Sequence, residues 1–100
     1  MYQVEYYPEV FDDLDKLPDI VALEVSKYFI KYKTEPKKYS KKLYTQGGLN
    51  LERCRKTYVA NATYRIIIII EDNIAKVVEV VAVGKREDKE VYQNAYNRIK

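Results

Sequence analysis

The sequence predicts an α+β fold. It reads as one small domain with a mostly antiparallel four-stranded sheet, an N-terminal helical hairpin on one face and a C-terminal helix. Three observations lead there. Residues 66–70 are five isoleucines in a row, a β-branched run that suits a strand covered on both faces. Turn-like Glu71-Asp72-Asn73 follows, so the apolar run over 74–83 folds back beside the first as an antiparallel partner. Upstream of this hairpin, two segments carry apolar residues at helical spacing.

Taken in order, Tyr2-Gln3-Val4-Glu5-Tyr6 alternates as a first strand. Pro8 suits the first turn of a helix, and Val10, Phe11, Leu14 and Leu17 recur at helical spacing with the acids on the other face. Pro18 breaks that helix, and Pro18-Asp19 opens the next. Val21, Val25, Tyr28 and Tyr32 form its stripe, which runs to Thr34-Glu35-Pro36. Residues 36–48 read as a basic connection closed by Gly47-Gly48. A second strand is expected over 49–59, a turn over 60–63, and then the isoleucine hairpin. Gly84 ends the sheet. A last helix over 88–99 places Val91, Ala95 and Ile99 on one stripe, with Tyr92 and Tyr96 beside it. The order is β-α-α-β-β-β-α, with the helical hairpin on one face and the other face left partly open.

Length and composition bound the function. With 100 residues and 47% apolar content, the chain supports one modest core, so a single domain over 1–100 is expected. One cysteine rules out an internal disulfide. No signal peptide is visible, and no apolar stretch approaches the ~20 residues needed to cross a bilayer, so a soluble cytoplasmic protein with no membrane partner is expected. Net charge is only +3, but it is unevenly spread. Residues 1–30 carry two bases against seven acids, whereas residues 31–65 carry ten bases against two acids. A basic concentration of this kind favours a polyanionic partner. There is no CxxC, no glycine-rich phosphate loop and no carboxylate cluster of metal-binding character, so neither a metal nor a cofactor is expected. Cys54 has no histidine to activate it as a nucleophile.

Tyr64-Arg65-Ile66, the acidic turn, Val83-Gly84-Lys85-Arg86-Glu87 and Glu90-Val91-Tyr92 together resemble the RelE/ParE toxin superfamily of bacterial toxin–antitoxin modules. The chain is most similar to the RelE-type messenger-RNA interferases. The likeness covers the whole chain in element order and the C-terminal half closely in residues. It implies a small endoribonuclease that cuts messenger RNA in the ribosomal A site and is neutralised by a cognate antitoxin, with which it forms a hetero-oligomer. By the same resemblance, Arg65 and Arg86 match phosphate- and transition-state-binding arginines. Tyr92 matches a C-terminal catalytic tyrosine that stacks on the reacting nucleotide or moves a proton.

The residue inventory suits metal-free cleavage. Such chemistry needs the ribose 2′-hydroxyl deprotonated, the charge on the phosphorane stabilised, and a proton delivered to the leaving 5′-oxygen. The chain has no histidine, so arginine, lysine and tyrosine must do this work. Arginine's planar fork suits phosphate. Tyrosine or lysine, with an ordinary pKa near ~10, acts as a base only if flanking cations or burial lower it.

The resemblance also places basic residues on the second strand, where Arg53, Arg55 and Lys56 are candidates. Alternation sends Arg55 and Lys56 to opposite faces. Counting back from Arg65 without a gap favours Lys56; one extra hairpin residue favours Arg55. Thr57-Tyr58 stands where the family often has a further basic position. Arg53, Lys41, Lys42 and Lys85 are the candidate RNA-binding cations. The plain structural alternative pairs Arg65 with Glu87 or Asp88 at the sheet end. Two other functions share the fold: a ParE-like gyrase inhibitor without nuclease activity, and a degenerate toxin serving as an antitoxin-binding co-repressor.

Overall fold

The structure, a computed structural model, describes residues 1–100, the side chain of Asp88 excepted. Its elements run β1 (Gln3–Tyr6), α1 (Glu9–Asp15), α2 (Asp19–Lys31), β2 (Lys41–Lys42), β3 (Thr45–Gln46), β4 (Leu49–Asn50), β5 (Cys54–Val59), β6 (Tyr64–Asp72), β7 (Lys76–Lys85), a 3-10 turn (Glu87–Lys89) and α3 (Glu90–Ile99). The class is α+β, as expected. The sheet, however, has five strands in the order β1-β7-β6-β5-β2 and is mixed, because β1 pairs with β7 in parallel. All other pairs are antiparallel.

β6 lies at the centre, and its isoleucines divide by parity. Ile66 and Ile68 face α1 and α2 in a cluster with Val10, Val21, Val25 and Tyr32. Ile67 and Ile69 face the other way, against Leu43, Leu51, Val91, Tyr92 and Ala95. Each such side chain contributes roughly 1.5–3 kcal/mol by leaving water. The face expected to be partly open is therefore covered, by α3 and by the segment 43–51. A bulge in β7 aids this cover. Ile67 pairs with Ala82 but Ile68 with Val80, so Val81 is the extra residue. Val81 and Ala82 both join the α3-side cluster.

The connections differ from expectation for local reasons. The stretch 36–48 is not a plain basic connection, because Lys41–Lys42 adds an edge strand to β5. Thr45–Gln46 and Leu49–Asn50 form a separate two-stranded hairpin. Gly47 and Gly48 at its tip have φ of +56° and +85°, the left-handed pair that a tight hairpin demands. The strand expected over 49–59 is broken after Asn50. There the Asn50 side-chain oxygen accepts from the Glu52 amide (3.2 Å) and the Leu51 carbonyl accepts from the Cys54 amide (2.9 Å), a local turn that competes with the ladder. α2 ends at Lys31, its last bonds tightening to the Ile30 and Lys31 carbonyls ahead of Pro36. α3 begins at Glu90 because Lys89 is left-handed, with φ +59°.

One buried ion pair ties the layers together. Arg98 of α3 donates twice to Asp13 of α1, at 2.6 and 2.9 Å, and once to the Val81 carbonyl at 2.9 Å. Asp13 also accepts from the Val83 amide at 3.0 Å. Asp13 was expected among the solvent-facing acids of α1; it is buried at the end of β7 instead. Replacing Arg98 by Met leaves that carboxylate without its countercharge, and urea unfolding should show a loss of about 3–5 kcal/mol. A loss below about 1 kcal/mol would mark the pair as a surface-type bridge instead.

Candidate functional site

The hairpin geometry brings the two arginines to one place. Arg65 at the start of β6 is the register partner of Gly84 near the end of β7. Arg86 follows β7, where its amide donates to the Thr63 carbonyl at 3.1 Å. Both line a cleft of ≈ 680 Å³ together with Lys56 of β5, Lys89, Tyr92 of α3 and Gln46 of the small hairpin. Asn61, Ala62 and Thr63, the β5–β6 turn, form its floor. Among the described residues, four cations line this cleft against one carboxylate, Glu87.

Arg65 is the hub, and only 6% of its surface is exposed. Its Nε donates to the Tyr92 hydroxyl at 2.6 Å and its Nη1 to the Ala62 carbonyl at 2.6 Å. Its guanidinium carbon lies 4.2 Å from the centroid of the Tyr58 ring, a stacked cation–π contact. These contacts fix the plane of the guanidinium while leaving further N–H donors. Arg86 is exposed, and no side chain among the described residues engages it. Arg65 makes no ion pair with Glu87 among the described residues, and the Asp88 side chain lies outside them.

Tyr92 is 4% exposed and its ring packs in the α3-side cluster. In this structure its hydroxyl anchors the Arg65 guanidinium at the cleft wall.

Backbone strain gathers here too. The positive-φ non-glycines among the described residues are Ala60 (51°), Asn61 (55°), Ala62 (70°) and Lys89 (59°). Three of these line the cleft, at a cost of about 1–2 kcal/mol each for a side chain held left-handed. The Ala62 carbonyl that holds Arg65 is presented by this conformation. A β-carbon on Gly47 would strike the Lys89 side chain, so the small hairpin closes directly against the cleft wall.

No protein-family model and no curated protein sequence matches the chain, but solved structures do. A mutant of the E. coli toxin RelE in the free state aligns over 99% of this chain and 98% of its own, at 25% identity and a TM-score of 0.72. The isolated E. coli RelE toxin aligns over 100% of both chains, at 26% identity and a TM-score of 0.68. The chain has the fold of the RelE toxins. The toxin–antitoxin complex RelBE2 from Mycobacterium tuberculosis shares the fold, with 24% identity, 85% of this chain and 98% of that one covered, and a TM-score of 0.68.

On this RelE frame the remaining candidates separate. Lys56 lines the cleft and Arg55 does not, because Tyr58 pairs with Arg65 and Lys56 with Ile67 without a gap. Arg55 points to the opposite face. There its Nε donates to the Ser40 hydroxyl at 2.7 Å and its Nη2 to the Ser40 and Lys37 carbonyls at 2.9 and 3.3 Å. It holds the 37–40 turn, and the structure does not bring it to the cleft. Lys41 shares the Lys56 face and lies 5.4 Å from the centroid of Tyr58. Lys42 reaches the Glu52 carbonyl at 3.3 Å, Arg53 reaches Glu71 at 3.8 Å, and Lys85 lines a different depression with Asp13 and Lys16. Of the candidate RNA-binding cations, only Lys41 is near the cleft. Burial pushes the Cys54 thiol up to about 11, which leaves it inert.

Tyr58 was not among the expected site residues. Its signal was present, since alternation gives it the face of Lys56 and an ungapped hairpin sets it opposite Arg65. Tyr92→Phe removes the only acceptor of the Arg65 Nε among the described residues, so chemical denaturation should show a loss of about 1–3 kcal/mol apart from any effect on activity. An unchanged midpoint would mean that water replaces the hydroxyl at no cost.

Proposed function

We propose that the chain is the toxin of a toxin–antitoxin pair and acts as a ribosome-dependent endoribonuclease on messenger RNA. The convergence of Lys56, Arg65, Arg86 and Tyr92 on one cationic cleft carries this reading. RNA presents a phosphodiester with a neighbouring 2′-hydroxyl, and this cleft supplies donors where the phosphorane gathers charge. Exposed Arg86 closes on the non-bridging oxygens. Arg65, held by Tyr92 and Ala62, offers its remaining N–H groups at a preset angle. Lys56 supplies the proton that the leaving 5′-oxygen needs. The whole of 1–100 acts as one domain, and the ribosome places its activity in the cytoplasm.

A cognate antitoxin is the second partner. The RelBE2 neighbour is a toxin–antitoxin complex, and a cleft with four cations suits an acidic segment that folds as it binds. The test is primer extension on a defined message held in programmed ribosomes, wild type beside Arg86→Ala. A cut within the A-site codon, slowed about 10²–10³-fold in the variant, is expected from loss of one charge-stabilising donor. An intact message with folded, antitoxin-free protein would sink the nuclease and move the reading to gyrase inhibition, which a supercoiling assay measures.

A further inference from the structure

We infer that Tyr58 is the general base of this site, taking the proton from the ribose 2′-hydroxyl while Lys56 protonates the leaving oxygen. The inference deepens the nuclease reading above and rests on it. Three cations surround this one phenol, each from a different strand. Lys56 of β5 lies 5.1 Å from its ring centroid, Lys41 of β2 lies 5.4 Å away, and the Arg65 guanidinium of β6 covers it at 4.2 Å. Unlike buried Tyr92, Tyr58 is 39% exposed. It lines a second depression of ≈ 250 Å³ that adjoins the cleft through Lys56, a residue common to both.

The three charges nearest the phenol are all positive. Lys38, Tyr28 and Tyr39 complete the adjoining depression. The carboxylate at that end, Glu35, is engaged by Lys38 at 3.3 Å. On the cleft side stand Arg86, Lys89 and the single carboxylate Glu87. Hydrogen bonding with Lys56 holds the Tyr58 hydroxyl below the ordinary tyrosine value. The fields of Lys56, Arg65 and Lys41 add to this against a contrary desolvation. Tyr2, Tyr6, Tyr7 and Tyr32, by contrast, are displaced upward by carboxylates or burial.

The step balances. The 2′-O–H bond breaks as the Tyr58 O–H bond forms. The 2′-oxygen bonds to phosphorus, the phosphorus–5′-oxygen bond breaks, and the 5′-oxygen takes a proton from the Lys56 ammonium. Tyr58 then holds a proton that Lys56 lacks, and transfer between these neighbours on one strand face restores the starting pair. The products are a 2′,3′-cyclic phosphate and a 5′-hydroxyl.

Tyr58→Phe keeps the ring, and with it the Arg65 contact, while removing the proton acceptor. In single-turnover cleavage on programmed ribosomes, this variant should lose about 100-fold or more in rate. It should also lose the rise of rate with pH that ends at the phenol's titration, while its affinity for the ribosome stays the same. An active wild type whose Tyr58→Phe variant keeps both the rate and the pH profile overturns the assignment and leaves the nuclease reading standing. A wild type that cuts no message overturns both. Carbon-13 tyrosine spectra of the free protein supply a readout independent of activity. Tyr58 should titrate below the ordinary tyrosine value, moving upward in Lys56→Met, and a Tyr58 that titrates at or above that value overturns the inference.

Discussion

The constraint on which this molecule depends is the need to keep β6 dry on both faces. Five consecutive isoleucines leave no polar face to turn to water, so each parity class must find its own cover. α1 and α2 supply one cover, while α3 with the 43–51 segment supplies the other. The strand has no freedom to slip, because a one-residue shift would exchange both sets at once. The two ends of β6 are thereby located as well, and Arg65 sits at one of them. The cleft at that end inherits the rigidity of the most heavily packed strand.

Two arginines, Arg65 buried and Arg98 part-buried, serve this three-layer stack in different ways. Arg98 faces a formal countercharge, Asp13, and joins α1, β7 and α3. Among the described residues Arg65 has no such carboxylate partner; a phenol, a carbonyl and a ring face receive it instead. Neutral partners satisfy the N–H groups without cancelling the charge. A guanidinium held this way keeps its field for whatever enters the cleft, which a carboxylate partner would have quenched. The left-handed turn at 60–62 is the strain accepted to aim the Ala62 carbonyl at it.

Much of this was legible in the sequence because it rests on periodicity. The isoleucine hairpin, the stripe of Val21, Val25, Tyr28 and Tyr32, and the meeting of Arg65 with Arg86 follow from spacings of 2 and 3.6. Other features depend on partners that no local pattern announces. Asp13 reads as one acid among several on α1, and its partner Arg98 lies 85 positions away. Arg55 reads as a candidate for the site until the 37–40 turn folds over it. The choice between Arg55 and Lys56 turned on the length of one turn, and the left-handed residues 60–62 made that turn without an inserted residue. The two-residue strands β2, β3 and β4 are too short for any alternation to show.

Tyr58 shows how tertiary context gives a residue a chemical character that its type lacks. In isolation a phenol is too weakly acidic to serve as a base near neutrality. On β5 it has Lys56 two places before it, Lys41 diagonal on the edge strand and Arg65 directly across. An antiparallel sheet sets such neighbours at fixed separations of ~5–8 Å, close enough to act on the phenolate through a partly screened medium. The edge strand is only two residues long, but it brings Lys41 into that ring of charge. Just past the same short strand, the Leu43 amide donates to the Cys54 carbonyl at 3.0 Å, and both side chains lie in the α3-side cluster. Packing at the sheet's edge and tuning of the phenol are consequences of one strand pairing.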